Sequence, residues 1–291
     1  MQLGMKGTLT LVLICAITLL CSSPVTAGTL EIPGTGACEA ILNELASAFN
    51  QQNPEDKIVI PPSIGSGGGI RLVGTGENKV GRVARPIKAE EMKYNLSYLV
   101  FAIDPVIFAV GKGVVANNLT QSRLVDIFSG RIRNWKDVGG KDAPIRVLVR
   151  EPGDSSLAVI KLNIPAFGKI VFPENSKILY HDLEMAEMLN KYKLSVGWLT
   201  LSTTNISKNS IRPLAIDGII PNRDNVIAGR YRIIGEYALV YKEKKLSPLA
   251  RKFIDFIFSD SGREILEKPG LIPVEKRWPC CSEKALPYQL S

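Results

Sequence analysis

One short stretch of the sequence places an arginine and several acidic and hydroxyl side chains where a strand gives way to a helix. It reads Arg150-Glu151-Pro152-Gly153-Asp154-Ser155-Ser156, between the apolar runs 145–149 and 157–160. The pattern predicts a buried strand, a short loop and a helix with Asp154, Ser155 or Ser156 at its N-cap. A helix N-terminus offers unpaired N–H groups and a partial positive charge. With an arginine beside it, the stretch indicates an oxyanion site, and a plain capped helix with a surface arginine is the alternative.

Two loops nearer the N-terminus have a similar arrangement. Gly34-Thr35-Gly36 follows a short predicted strand and precedes a predicted helix over 37–50. Ser66-Gly67-Gly68-Gly69 follows another predicted strand and precedes a helix predicted to begin at Ile70. Glycines let a backbone approach a ligand closely, and Thr35 and Ser66 add hydroxyls. The second loop lacks the Gly-Lys-Ser/Thr ending of a nucleotide-phosphate loop and the three-glycine spacing of a dinucleotide fingerprint.

Strands and helices alternate along the chain, which predicts an α/β fold with a mostly parallel sheet and helices on both faces. The run 98–110 is almost continuously apolar, as in a strand buried on both faces, and Asp104-Pro105 predicts an interruption where the chain changes direction or domain. The polar segment 203–209 predicts a loop, and Ser247-Pro248 predicts a helix start. Ligands in such sheets bind beyond the carboxyl ends of the strands, so we expect the three loops to meet at one site.

The first 27 residues predict a cleaved export signal. Lys6 is followed by the apolar run 11–20, too short for a membrane span, and by Val25-Thr26-Ala27 as a cleavage site. We therefore expect a periplasmic protein that starts near Gly28. Lipid attachment at Cys21 is the less favoured alternative, because a leucine stands where a lipoprotein signal has a small residue.

Charge and residue usage exclude several classes of function. The formal charge is +8, and removal of Lys6 with the signal leaves +7. The basic residues are dispersed and the chain is exported, which argues against nucleic acid as a partner. His181 is the only histidine, so a multi-histidine metal site is excluded and Ser-His-Asp hydrolysis would need His181 beside a nucleophile. We expect no cofactor, no metal and no enzymatic activity.

Three cysteines remain after removal of the signal. Cys38 either pairs with Cys280 or Cys281 or is a small buried apolar residue, and we favour the second. The segment 278–291 is a Pro-containing tail.

Nearly the whole mature chain resembles the phosphate-binding periplasmic proteins of ABC importers, the PstS-like group with the type II substrate-binding fold. The residues that carry the resemblance are Gly34-Thr35-Gly36, Ser66-Gly67-Gly68-Gly69, Asp126-Ile127-Phe128-Ser129-Gly130 with Asn134-Trp135, Arg150 with Gly153-Asp154-Ser155-Ser156, and Phe253-Ile254-Asp255-Phe256 with Ser261-Gly262.

The resemblance implies two α/β lobes, each with a mostly parallel sheet flanked by helices, joined by two crossing strands as a hinge. The first crossing is expected near 102–105 and the return near 229–236. Lobe one would then comprise 28–101 and 235–277, and lobe two 102–234.

The resemblance also implies a set of ligand contacts. Thr35 and Ser66 would supply loop hydroxyls, Arg150 would pair with phosphate oxygens, and Ser155 and Ser156 would stand at a helix N-terminus. The full expected set is Thr35, Gly36, Ser66, Gly67, Arg85, Arg150, Asp154, Ser155 and Ser156.

Two positions depart from the family pattern. Ala84 stands where the family has an aspartate that accepts the proton of hydrogen phosphate, and Asp154 replaces a small or hydroxyl residue. Asp154 either takes over the acceptor role, with Arg82 or Arg85 balancing its charge, or only caps its helix. An altered anion preference is the other reading of the same departures.

The resemblance therefore implies a monomeric protein that captures an oxyanion, foremost inorganic phosphate, and delivers it to the membrane subunits of an ABC importer. A different anion, or a role as ligand sensor or scaffold, is the alternative. An esterase or phosphatase that uses Ser155 or Ser156 is disfavoured because no base is evident.

Overall fold

The computed structural model describes residues 28–207 and 211–276. The predicted export signal, Cys21, Cys280, Cys281 and the tail lie outside these residues. Within them, the strands are β1 (Gly28–Glu31), β2 (Asp56–Val59), β3 (Val80–Val83), β4 (Ser97–Val110), β5 (Asn118–Leu119), β6 (Arg146–Arg150), β7 (Lys177–Leu179), β8 (Ser195–Thr200), β9 (Arg212–Pro213), β10 (Ala215–Ile216), β11 (Ile234–Tyr241) and β12 (Ile272–Pro273).

The helices are interleaved with these strands, as the alternating sequence pattern predicts. They are α1 (Glu39–Gln52), α2 (Gly65–Thr75), α3 (Gln121–Phe128), α4 (Ser155–Asn163), α5 (Asp182–Lys191), α6 (Leu201–Ser207), α7 (Arg223–Ile227), α8 (Pro248–Ile257) and α9 (Asp260–Glu267). Short 3₁₀ turns connect several of them.

A mixed sheet runs through the molecule in the order β3-β11-β4-β8-β6-β7, with β9 and β12 also pairing with β4. Pairs made by β4 and β11 are antiparallel, whereas β6 pairs in parallel with β7 and β8, and β1 pairs in parallel with β2. The long strand β4 pairs with β11 over 97–105 and with β8 over 106–110. One strand therefore crosses from one half of the molecule to the other.

Two large apolar cores lie on either side of this crossing. The first contains α1, α8 and β11, where the rings of Phe49 and Phe253 meet edge to face with centroids 5.3 Å apart. The second contains α3, α4 and β8, where Phe128 packs on Trp198 with centroids 5.3 Å apart. We call these halves the first and the second lobe. The two-lobed α/β fold class expected from the sequence is confirmed. The expectation of a mostly parallel sheet is wrong, because β4 and β11 pair in antiparallel fashion with each other and with β3 and β8.

Three local predictions differ from the structure. Asp104-Pro105 does not interrupt β4; instead, the partner strand changes there. The segment predicted as a loop at 203–209 is helical through Ser207, and helix carbonyls accept from its hydroxyls: Thr204 Oγ1 donates to Leu201 O at 2.7 Å. Residues 208–210 lie outside the described residues.

The third difference concerns the glycine-rich loop, since α2 already begins at Gly65 rather than at Ile70. A β-carbon on Gly69 would lie 2.9 Å from the Gly34 Cα and from the Pro33 carbonyl oxygen. The glycines therefore let the first turn of α2 lie directly against the loop that holds Thr35.

Among residues 28–207 and 211–276, none of the helices has the length and apolar character required to cross a bilayer.

We expect Gly34→Ala to lower the free energy of unfolding by roughly 3 kcal/mol. Gly34 has φ +150°, and its new β-carbon would lie 1.9 Å from the backbone oxygen of Arg82. Chemical denaturation measures the change. Gly168→Ala is the matched control, because its β-carbon would be 3.7 Å from the Lys161 side chain, an ordinary contact. Equal stability of the two variants would contradict the packing argument.

Candidate oxyanion site

The N-termini of α2 and α4 meet between the lobes. Ser66 lies in the first turn of α2 and Ser155 is the first residue of α4, and their Oγ atoms are 2.7 Å apart. Thr35 Oγ1 lies 3.2 Å from the same Ser155 Oγ. All three side chains are at most 2% exposed. Hydroxyls from both lobes are thus gathered at one buried point, beside the N-termini of two helices.

Backbone N–H groups orient two of these hydroxyls. The Ala84 N–H donates to Ser66 Oγ at 3.2 Å, and the Ala37 N–H donates to Thr35 Oγ1 at 3.3 Å. Since each oxygen already accepts a hydrogen bond, its own hydrogen is available to point towards the meeting point. Ala84 therefore contributes its N–H to the site, where the family pattern would place a carboxylate.

Arg82 fixes the loop that carries Thr35. Its guanidinium is fully buried and donates to the carbonyl oxygens of Thr35 (2.8 Å), Ile32 and Pro61 (2.7 Å) and to Glu39 Oε2 (3.0 Å). Each of its three nitrogens donates within the first lobe. The expectation that Arg82 balances the charge of Asp154 is therefore wrong.

Arg150 lies at the end of β6 in a buried cluster of charges. Its Nη1 donates to Asp182 Oδ1, and its Nη2 donates to the Tyr180 carbonyl at 2.9 Å and pairs with Asp154 Oδ2 at 3.0 Å. Burial alone would lower the pKa of the guanidinium, but Asp182 and Asp154 outweigh it and the pKa is raised. Among the described residues, none accepts a hydrogen bond from Arg150 Nε.

Asp154 is the N-cap of α4. Its Oδ1 accepts from the Leu157 N–H at 2.8 Å and from the Trp198 indole N–H at 3.3 Å. Burial raises the pKa of this carboxyl, an effect that the nearby Arg150 opposes. The contacts of Asp154 are thus those of a helix N-cap. Arg150, rather than Arg82 or Arg85, balances its charge.

Asp182 is the functional side chain that the sequence did not indicate. It is the first residue of α5, and its Oδ2 accepts from the Thr200 N–H at 2.9 Å. It links the arginine to the end of β8. Nothing in its local sequence distinguishes it from an ordinary acidic residue in the first turn of a helix.

Of the remaining predicted residues, Gly67 and Arg85 line a cleft of about 520 Å³. Arg85 forms a two-point ion pair with Glu91 (2.7 and 2.8 Å) there, next to Gly67. A β-carbon on Gly36 would lie 3.3 Å from His181 Nδ1, so the first-lobe loop closely faces the second lobe. Ser156 is 2% exposed in the first turn of α4.

The sequence drew attention to Cys38 and His181 as candidate metal ligands or reactive groups. Across 28–207 and 211–276, no group of three or more His, Cys, Asp or Glu side chains is placed to hold an ion. Cys38 is buried and forms no disulfide with another described residue, and burial raises the pKa of its thiol to about 12. The position fits a small buried apolar residue.

This fold and site define a class of two-lobed α/β proteins that hold a small solute between their lobes. The chain matches the family model for the PBP superfamily domain over residues 22–261 and belongs to that superfamily.

Similar proteins share its overall length. The phosphate-binding protein PstS of Borreliella burgdorferi is 26% identical over 282 residues, 93% of this chain and the whole of that relative. The phosphate-binding protein PstS of Bacillus subtilis is 28% identical over 256 residues, 85% of this chain and 81% of the relative. A Clostridium perfringens crystal structure with bound phosphate superimposes with a TM-score of 0.77 at 28% identity, covering 85% of this chain and all of that one.

We expect Arg150→Met to lower the free energy of unfolding by roughly 3–5 kcal/mol near pH 7. The substitution leaves Asp154 and Asp182 buried without their cation. An uncompensated buried carboxylate binds a proton more tightly in the folded than in the unfolded chain, so the lost stability should partly return as the pH falls towards 5. Denaturant unfolding at both pH values measures this.

Arg146→Met is the matched control on the same strand, because Arg146 is exposed and stacks on the Tyr192 ring at 4.0 Å from its centroid. It should change stability little at either pH. A pH-independent loss in Arg150→Met would argue against the buried charge cluster.

Proposed function

We propose that this protein is a periplasmic solute-binding protein that captures inorganic phosphate between its lobes and delivers it to the membrane subunits of an ABC importer. One observation carries the proposal: the Ser155 hydroxyl of the second lobe lies within 3.2 Å of both the Thr35 and Ser66 hydroxyls of the first. A tetrahedral oxyanion needs such donors from several directions at once, and contact with both lobes would hold them together.

Hydroxyls and backbone groups would bind most of the anion's oxygens. The N–H groups of the first turns of α2 and α4 carry partial positive charge and have no partner further up their helices. Ser156 and the loop at Gly36 lie beside them. Arg150 would add its Nε–H, while its other nitrogens keep the contacts to Asp154, Asp182 and Tyr180.

The similarity of this chain to phosphate-binding proteins favours phosphate over other oxyanions as its ligand. Relatives along almost the whole length are phosphate-binding proteins, and a structural neighbour at 28% identity holds phosphate. Hydroxyls can accept as well as donate, so Thr35, Ser66 and Ser155 can receive the proton of a protonated phosphate even though Ala84 has no side-chain acceptor.

Opening and closing of the lobes would govern capture and release. We propose 102–105 and 229–236 as the hinge, with 28–101 and 235–277 as the first lobe and 102–234 as the second. Ligand would bridge the lobes and exclude water, and the importer would favour the open form and so release the ligand. The protein would act as an exported monomer, without cofactor, metal or catalysis.

We expect Ser155→Ala to weaken phosphate binding roughly 10- to 100-fold, the effect of one hydrogen bond to a charged ligand. Isothermal titration calorimetry of the ligand-stripped protein with phosphate, with sulfate and arsenate in parallel, measures it. Ser122→Ala is the matched control, because Ser122 is exposed in the first turn of α3. Unchanged affinity in Ser155→Ala would contradict the site, and a response to sulfate alone would contradict phosphate as the ligand.

We expect the exported protein to begin at Gly28, since cleavage after Val25-Thr26-Ala27 fits the small-residue preference of signal peptidase. Intact-mass measurement of protein from the cell envelope tests this. A mass that corresponds to a lipid-modified chain starting at Cys21 would overturn the cleavage site and support membrane anchoring.

A further inference from the structure

Asp104 is a buried carboxyl at the point where β4 crosses between the lobes. It is fully buried, and its neighbours Ile103 and Val106 belong to the apolar core of the second lobe. No lysine or arginine among the described residues forms an ion pair with it. Burial of an ionised carboxylate in an apolar core costs free energy unless hydrogen bonds compensate its charge or the group binds a proton.

Its hydrogen bonds come from both sides of the crossing. Oδ1 accepts from the Ser202 N–H at 3.1 Å, at the start of α6 in the second lobe, and Oδ2 contacts the Ser202 hydroxyl. Oδ2 also lies 2.8 Å from the Tyr237 hydroxyl on β11. That same hydroxyl is 2.8 Å from the carbonyl oxygen of Ala37, which closely follows Thr35 in the first lobe.

The hydrogens of this network can be counted. The Ala37 carbonyl can only accept, so the single hydrogen of the Tyr237 phenol is needed there. A full hydrogen bond between the phenol oxygen and Asp104 Oδ2 then needs a second hydrogen. A protonated Asp104 supplies it: Oδ2–H donates to Tyr237, Oδ2 accepts from the Ser202 hydroxyl, and Oδ1 accepts from the Ser202 N–H. Each of these contacts is then satisfied.

We propose that Asp104 is a proton latch between the lobes, which holds a proton while the lobes are closed and releases it when they open, so that ligand binding takes up a proton. The inference rests on the proposed function, because it assumes that an oxyanion closes the lobes. Opening would separate Ala37 in the first lobe from Ser202 in the second and admit water to Asp104, which would then ionise.

The environment of Asp104 in this structure favours the protonated form of its carboxyl. Burial raises the pKa of Asp104 to about 6, the hydrogen bonds from Ser202 and Tyr237 oppose the rise, and the charge of Asp182 adds to it. Burial also raises the pKa of Tyr237 well above its ordinary value and that of Cys38 to about 12, so both keep their protons.

The raised pKa of Asp104 in the closed form determines how phosphate affinity should change with pH. A carboxyl whose pKa is higher in the closed than in the open form favours closure as the pH falls through about 6, and the advantage is lost as the pH rises. With an ordinary pKa in the open form, affinity should tighten roughly tenfold between pH 7.5 and pH 5 through Asp104 alone.

Calorimetric titration with inorganic phosphate from pH 5 to pH 7.5 tests the latch when wild type is compared with Asp104→Asn. The amide is permanently neutral and its NH₂ can donate to Tyr237, so the variant should lack the tenfold Asp104 contribution. Phosphate itself changes protonation in this range, but it is the same in both titrations, so the difference between the two pH profiles isolates Asp104. Asp137→Asn, at an exposed carboxylate, should follow wild type.

The outcomes separate the latch from the proposed function. Phosphate binding with parallel pH profiles for wild type and Asp104→Asn would overturn the latch and leave the function intact. Absence of phosphate binding by wild type at every pH would overturn the function. If Asp104→Asn does not fold, infrared difference spectra of wild type at pH 5, phosphate-bound minus free, replace it. A new carbonyl band of a protonated carboxylic acid supports the latch, and its absence overturns it.

Discussion

The buried guanidinium of Arg150 and its two carboxylates constrain the whole second-lobe side of the site. One positive and two negative side-chain charges lie together, which alone would leave a net negative charge in a poorly hydrated place. Each carboxylate also stands at a helix N-terminus: Asp154 caps α4, and Asp182 is the first residue of α5. With about half a positive charge at each N-terminus, the cluster is close to neutral. The chain must therefore place β6, α4 and α5 together before any of these charges is tolerable.

An oxyanion that enters such a site meets little net positive side-chain charge. Its binding must depend on the direction of N–H and O–H groups instead, and the first lobe is built to fix those directions. Arg82 uses its donors on three loop carbonyls and Glu39, and the glycines at 34 and 69 let α2 lie against the Thr35 loop. Arg82 in the first lobe and Arg150 in the second are thus buried arginines that hold backbone in place. These contacts within the first lobe explain why Arg82, which the sequence offered as a counter-charge to Asp154, is a structural residue.

The sequence predicted the parts of the site that have a local signature. Arg150 to Ser156 reads as strand, loop and capped helix, and Thr35 and Ser66 follow strands in the same way, so their meeting beyond the strand ends could be expected. Asp182 could not be found, because its partner lies 32 residues away and the link has no periodicity. The start of α2 was missed because glycine disfavours helices, and only the close approach to Gly34 explains the exception. Asp104 did leave a signal, as a charge in an apolar strand, but the sequence suggested a break rather than a change of partner strand.

A path of hydrogen bonds behind the site joins its two halves. Asp182, which holds Arg150, accepts from the N–H of Thr200 at the end of β8. Two residues on, Ser202 contacts Asp104, which contacts Tyr237, which contacts the carbonyl of Ala37 next to the Thr35 loop. The path passes through β4, the strand shared by both lobes, so Ser202 and Ala37 cannot separate without breaking it. The hydroxyl contacts at Ser155 and this path both span the lobes, so the proposed opening of the lobes would have to break both.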